Sequence, residues 1–321
     1  MAAADSGRTV ADVGEFGLIA AVTERLPQQP QVLLGPGDDA ALLRAPDGRV
    51  VATTDLLLEG RHFRREWSGA YDVGRKAAAQ NLADIAAMGA RPTALLVGLG
   101  VPGALPVAWV LELADGLREE CEPLGVSVVG GDVTAAETVL IAVTALGDLE
   151  GREPVTRSGA RPGDVVVVAG RLGWAAAGLA VLGRGFRSPR LLVAAHRRPD
   201  PPYAAGPALA TAGATAMVDV SDGLIQDLGH VAAASGVRID LRRDAFSIAD
   251  PLRDVAAALG GDPLSWVLTG GDDHALAATL PADAPRPGGL LEVGQVVEGE
   301  GVSVDGQPWE GSGGHSHFAR P

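Results

Sequence analysis

Short apolar runs alternate with longer amphipathic stretches along the first half of the chain. Residues 32–34, 40–43 and 50–54 are apolar or β-branched runs set between Gly-rich or Pro-Asp-Gly turns, which predicts three strands. Residues 72–88 carry helical spacing, with Asp72 placed to N-cap, Gly89 suited to the C′ position and Pro92 beyond. Within that helix Lys76, Gln80 and Asp84 recur at every fourth position and form one polar stripe. Ala77, Leu82, Ile85 and Met88 supply its packing side. A strand at 93–101, a helix at 106–124 and strands at 126–129 and 138–146 follow.

Charge and glycine then gather at 148–164, a linker-like stretch that puts a domain boundary near residue 150. The second half repeats the style, with a strand at 165–169, a helix at 175–182, a Pro-rich bend at 199–202 and a helix at 204–212. A strand at 216–220 and a helix at 224–234, ended by Gly236, come next. The expectation is an α/β protein of two domains, 1–150 and 151–321. The Gly/Ser/His-rich end, 311–321, is expected to be mobile until a ligand orders it.

Composition sharpens this picture. With 321 residues, 47% hydrophobic and 21% charged, the chain is globular and long enough for two cores. A net charge of −14 disfavours nucleic acid or an anionic membrane as partner. The single Cys121 excludes a disulfide framework and a Cys-based zinc site, and fits a reducing compartment. No apolar run reaches the roughly 18 residues of a membrane span, and residues 1–12 lack a signal-peptide core, so a soluble cytoplasmic protein is expected. Of 26 Lys and Arg residues only Lys76 is lysine. In a chain so biased to Arg, a lone Lys marks a place where a compact ammonium is wanted, or a chance survivor on a helix.

The aspartates carry the chemistry. Asp38, Asp39, Asp55, Asp84, Asp132, Asp219, Asp222, Asp272 and Asp273 lie in Gly-rich turns or at the ends of apolar runs. Unpaired carboxylates are costly there, so a shared cation is expected. Oxygen ligands without Cys or clustered His point to a hard ion, Mg²⁺, and Mg²⁺ points to phosphate substrates. Thr53-Thr54-Asp55 closes a predicted strand, where it is a candidate cation and phosphate site or an ordinary Asx/ST turn. His62, flanked by Arg61, Arg64 and Arg65, forms a small basic island. Gly130-Gly131-Asp132 follows a Val-rich strand and suits a phosphate cradle. In Asp219-Val220-Ser221-Asp222-Gly223, Ser221 is placed to N-cap the next helix, whose N-terminus favours an anion. Gly270-Gly271-Asp272-Asp273 repeats the theme. No Walker P-loop and no protein-kinase signature is present.

Taken together, Gly14-Glu15-Phe16, the Gly35–Ala41 string, Thr54-Asp55 with His62-Phe63, the Asn81–Ala90 segment and Gly130-Gly131-Asp132 resemble the thiamine-monophosphate kinases. Thr156-Arg157-Ser158-Gly159-Ala160, Asp219–Leu224 and Gly270–Asp273 extend the resemblance to about residue 275. It implies a two-domain fold of the aminoimidazole ribonucleotide synthetase type. The N-terminal domain, a mixed sheet with helices, would bind ATP and Mg²⁺ and form a homodimer. The C-terminal α/β domain would complete the nucleotide and substrate site.

The resemblance also implies roles. Asp39, Thr53, Thr54, Asp55, Asp84, Asp132, Asp219 and Asp222 would be Mg²⁺ ligands. Gly131, Asp132, Arg157 and Ser221 would contact ATP, the co-substrate. His62 and Asp272 would bind thiamine monophosphate with Trp309 or His315 over its rings. Asp39, Asp84, Asp132 and Asp222 are the expected catalytic carboxylates, and Lys76 is added to them from its place on the polar stripe. Two departures stand out: Asp272 where the family has Glu, and a longer tail with His315 in place of Tyr. The implied reaction is direct, in-line transfer from ATP to thiamine monophosphate. The rivals are a selenophosphate synthetase, a hydrogenase maturation factor of the same superfamily, and a non-catalytic Mg²⁺-nucleotide scaffold. The first two would need a reactive Cys near one end of the chain, and the scaffold has no need of so many metal aspartates.

Overall fold

A computed structural model describes residues 7–37 and 40–315. Asp38 and Asp39 therefore lie outside the described residues, as does the chain beyond His315. Two compact units result: one holds the described residues up to Ile85 with Arg91–Glu150, the other Ala86–Ala90 with the described residues from Gly151 onward.

The first unit contains α1 (Val10–Thr23), the short hairpin β1 (Val32–Leu34) and β2 (Leu42–Leu43), then β3 (Val51–Leu58), α2 (Ala70–Ala87), β4 (Arg91–Val101), α3 (Val107–Cys121), β5 (Ser127–Ala135) and β6 (Leu140–Asp148). Its sheet runs β3-β6-β4-β5, antiparallel except for the parallel β4–β5 pair. Alternation decides which side chains go where. Thr53, Asp55 and Leu57 share the face covered by α2, while Thr54 and Leu56 share the other. Helices α2 and α3 cross closely, since a side chain on Gly74 would lie 2.1 Å from the Leu113 carbonyl and one on Gly116 would lie 2.2 Å from that of Tyr71.

Two strands run further than their apolar pattern predicts. β3 continues past Asp55 to Leu58, so Thr53-Thr54-Asp55 lies mid-strand and makes no terminal turn. β5 continues to Ala135, so Gly130-Gly131-Asp132 is strand and not a loop after one. In both cases cross-strand pairing outweighs the local polar signal. Helix α2 begins two residues before Asp72, which sits in its first turn and does not cap it.

The second unit is built on a seven-stranded sheet of order β13-β12-β9-β11-β7-β10-β8. Its elements are β7 (Val165–Ala169), α4 (Trp174–Gly183), α5 (Arg190–Arg197), α6 (Ala205–Thr211), β8 (Ala216–Val220), α7 (Leu224–Ser235), β9 (Arg238–Leu241), α8 (Asp250–Leu259) and α9 (Pro263–Thr269). The strands β10 (Ala275–Leu280), β11 (Leu290–Val297), β12 (Gly301–Val304) and β13 (Gln307–Pro308) complete it. Strands β7 and β10, inside the sheet, and β8, at its edge, are buried along their whole length. Val167, Ala169, Met217, Leu276 and Leu280 form one core with Leu209 of α6. Among the described residues no helix is long and apolar enough to cross a membrane.

Candidate active site

In the first unit the polar stripe of α2 lies against β3. Thr53 Oγ1 donates to Asp84 Oδ2 at 2.8 Å, and Gln80 Nε2 donates to Asp55 Oδ2 at 2.9 Å. Lys76, one turn earlier, is only 3% exposed. Thr54 faces the other way, where its hydroxyl donates to the Val143 carbonyl at 3.0 Å and accepts from Thr144 at 3.1 Å. The oxygen donors Thr53, Asp55 and Asp84 suit a hard divalent cation by their chemistry. Among the described residues no three Asp, Glu, His or Cys side chains are grouped as a metal would require. Asp39 lies outside that description.

Asp132 lies opposite Gly98 of β4. Its neighbour Gly131 is held so tightly that a side chain would meet the Val97 carbonyl at 1.9 Å. His62 uses Nδ1 to accept the Leu58 backbone N–H at 2.9 Å. In the expected basic island Arg65 pairs with Glu59 at 2.6 Å and Arg64 stacks over Trp67 at 4.5 Å. Cys121 is buried at the end of α3, where burial pushes its thiol well above the ordinary range.

In the second unit the loop after β8 meets the loop before β10. Asp272 N–H donates to the Ser221 carbonyl at 2.8 Å and His274 N–H to the Val220 carbonyl at 3.0 Å. The approach needs glycine at 271, where a side chain would sit 2.2 Å from the Ser221 carbonyl. Asp272 and His274 both adopt left-handed backbone, φ 72° and 51°, conformations that persist only where the surroundings enforce them. Buried Asp219 accepts or shares a hydrogen bond with His274 Nδ1 at 3.0 Å, and Asp272 lies 4.0 Å from His274 Nε2 and 3.9 Å from His196 Nδ1.

Ser221 does not cap α7; the N-cap position is Gly223. The carboxylate of Asp227 accepts the N–H groups of Asp222 and Gly223 at 3.0 Å each. Burial pushes Asp227 up to about 7 against the pull of those bonds, and nearby Asp219 and Asp222 add to the rise. Asp273 does similar work for α4, accepting the N–H groups of Trp174 and Ala175 at 3.0 and 2.9 Å. Arg157 is exposed, and its loop is pinned by Ser235, whose hydroxyl donates to the Arg157 carbonyl and accepts from Gly159 and Ala160.

The described part of the tail lies against the start of α7: His315 N–H donates to the Asp222 carbonyl at 3.0 Å and Gln226 N–H to the Gly313 carbonyl at 3.2 Å. Trp309 donates its indole N–H to the Ser312 carbonyl at 3.2 Å.

The chain matches the AIR synthase related protein N-terminal domain over residues 37–149 and the corresponding C-terminal domain over 161–306. A thiamine-monophosphate kinase of Mycobacterium tuberculosis is 49% identical over 315 residues, 98% of this chain and 94% of that protein. The chain belongs to the thiamine-monophosphate kinase family. Membership makes it an enzyme of the kinase class. Among solved structures, AaThiL complexed with AMPPCP and TMP superposes with a TM-score of 0.80 at 34% identity, covering 96% of this chain and 98% of that one. The hydrogenase maturation protein HypE of E. coli superposes at 0.69 with 21% identity, covering 90% and 92% of the two chains, a likeness of fold alone.

Ser235, His196 and His274 escape a sequence reading because their partners are far away along the chain, and Asp227 and Gln226 because they fold back from inside α7 onto the turn before it. The one signal available was that His274 directly follows the Gly-Gly-Asp-Asp string.

Proposed function

We propose that this chain transfers the terminal phosphoryl group of ATP to thiamine monophosphate, giving thiamine diphosphate and ADP by direct in-line displacement. The observation that carries the reading is the 49% identity to a thiamine-monophosphate kinase over 98% of the chain. The likeness to AaThiL complexed with AMPPCP and TMP supports the same two substrates.

An acceptor phosphate loses its second proton near pH ~6, so it arrives as a nucleophile and needs no general base. The obstacle is the meeting of two polyanions. Several Mg²⁺ ions would supply charge neutralisation; the family resemblance assigns them to Asp39, Thr53, Asp55, Asp84 and Asp132 in the first unit and to Asp219 and Asp222 in the second. The residues of the chain position the reactants. The backbone at Gly131 and the side chains of Arg157 and Ser221 are assigned to ATP. Asp272, one methylene shorter than the family's Glu but fixed by its left-handed backbone between two buried histidines, is assigned to the acceptor together with His62. Trp309 or His315 is assigned to cover the acceptor rings and exclude water. The first unit is assigned the Mg²⁺-nucleotide role and dimerisation, through the open face of its sheet where Leu56 is 56% and Leu96 37% exposed. The second is assigned completion of the substrate site.

Incubation with ATP, Mg²⁺ and thiamine monophosphate, followed by chromatographic detection of thiamine diphosphate and ADP in equal amounts, tests the reading. ADP release without thiamine diphosphate would overturn it.

A further inference from the structure

One side chain joins the start of α7 to the tail. Gln226 Nε2 donates to Asp222 Oδ2 at 3.0 Å and to the His315 carbonyl at 2.7 Å. Its backbone N–H donates to the Gly313 carbonyl. The tail can come this close because residues 313 and 314 lack side chains: a Cβ on Gly314 would lie 2.5 Å from the Asp222 carbonyl and 2.9 Å from Gln226 Cβ. Both amide hydrogens of one Gln are thus committed, one to a carboxylate and one to a main-chain carbonyl 89 residues away.

We propose that Gln226 is a positioning residue that fastens the C-terminal tail to Asp222, so that the segment carrying Trp309 and His315 and the Ser221-Asp222-Gly223 loop keep one arrangement. A Gln suits this better than the charged alternatives. Its amide supplies two donors in a plane, and it stabilises the Asp222 carboxylate without cancelling its charge. A Glu would offer acceptors to two acceptors, and a Lys would form an ion pair competing with any cation at Asp222. The fastening stands on geometry alone; its consequence for substrate rests on the thiamine-monophosphate kinase reading.

The test uses the full-length chain and Gln226→Met, which keeps length and helix preference but removes both donors. Amide hydrogen exchange of the peptide containing residues 309–315 is measured without ligand. Faster exchange in that peptide, with unchanged exchange in β7, β8 and β10 and an unchanged melting temperature, is the expected result. Tail exchange equal to wild type would overturn the proposal, whether or not the enzyme reading holds. Kinetics test the consequence. Gln226→Met should raise KM for thiamine monophosphate about fivefold, the worth of one net hydrogen bond, with kcat little changed. Gly314→Ala, which forces the tail off the same loop, should do likewise. The double variant should be no worse than the worse single one, since both break one contact. Multiplying effects would show that Gln226 and the tail act independently, which also overturns the proposal.

Discussion

Thr53 and Asp84 meet at 2.8 Å between a strand and a helix, and Asp84 is assigned to the metal. Asp84→Asn keeps size and hydrogen bonding but halves the acceptor capacity and removes the charge. Turnover should fall by at least about a hundredfold, while far-UV circular dichroism and melting temperature stay near wild type. Thr53→Val, which removes only the hydroxyl, should cost about ten- to a hundredfold in apparent Mg²⁺ affinity, read from activity against Mg²⁺ concentration. Wild-type Mg²⁺ dependence in both variants would remove this pair from the site. Lys76 is a different case because it is 3% exposed. Lys76→Arg adds volume in a packed place, so lost activity there would not separate chemistry from overpacking, which costs about 1–3 kcal/mol. Lys76→Met does separate them. It should fold with a near-normal melting temperature and lose activity; full activity would show that Lys76 only fills space.

At the scale of elements, Asp273 ties α4 to the loop before β10 by capping the helix from outside. Burial pushes its carboxyl from 3.8 up to about 7, against the two backbone bonds and Arg171. Between those values the folded chain holds a proton that the unfolded chain has released. The contribution to stability is therefore full below about pH 4, declines as pH rises toward 7, and is level above. Asp273→Asn, which cannot titrate, should flatten that slope: the gap in urea midpoint between pH 5 and pH 8 should be smaller than in wild type. An equal gap would show that the carboxyl ionises freely in the fold. Elements of this kind were only partly legible in the sequence. β7 matches its predicted span, 165–169, because five consecutive apolar residues, four of them β-branched, lie between Gly163 and Gly170. β3 and β5 were cut short because Asp55 and Asp132 sit mid-strand, and pairing with β6 and β4 keeps the backbone extended past them. Helix α7 lies where its pattern predicts, but Ser221, which its position suggests as the cap, does not serve; the bonding carboxylate is Asp227, inside the helix. Local pattern shows that a helix starts; it does not show which side chain folds back.

For the whole molecule, a sheet with one face covered by helices leaves the other face to be accounted for. In the first unit that face carries Leu56 beside Ala142 and Gly98, and Leu96 beside Thr144 and Thr54, all set by strand register. Exposure of 56% at Leu56 and 37% at Leu96 leaves two large apolar side chains on that face, a feature that marks an interface when it forms a patch. A homodimer formed there would be isologous, so one substitution alters two places per dimer. Burying a leucine is worth about 1.5–3 kcal/mol, and leaving a carboxylate unpaired in the same spot costs more. Leu56→Glu should therefore weaken dimerisation by at least about a hundredfold in Kd, turning a dimer at micromolar concentration into a monomer by light scattering. Its position opposite α2's face leaves Thr53, Asp55 and Asp84 in place, so the folded monomer should retain Mg²⁺-dependent protection against heat. A wild-type chain that is monomeric under those conditions, or a variant that stays dimeric, would show that this face serves another purpose.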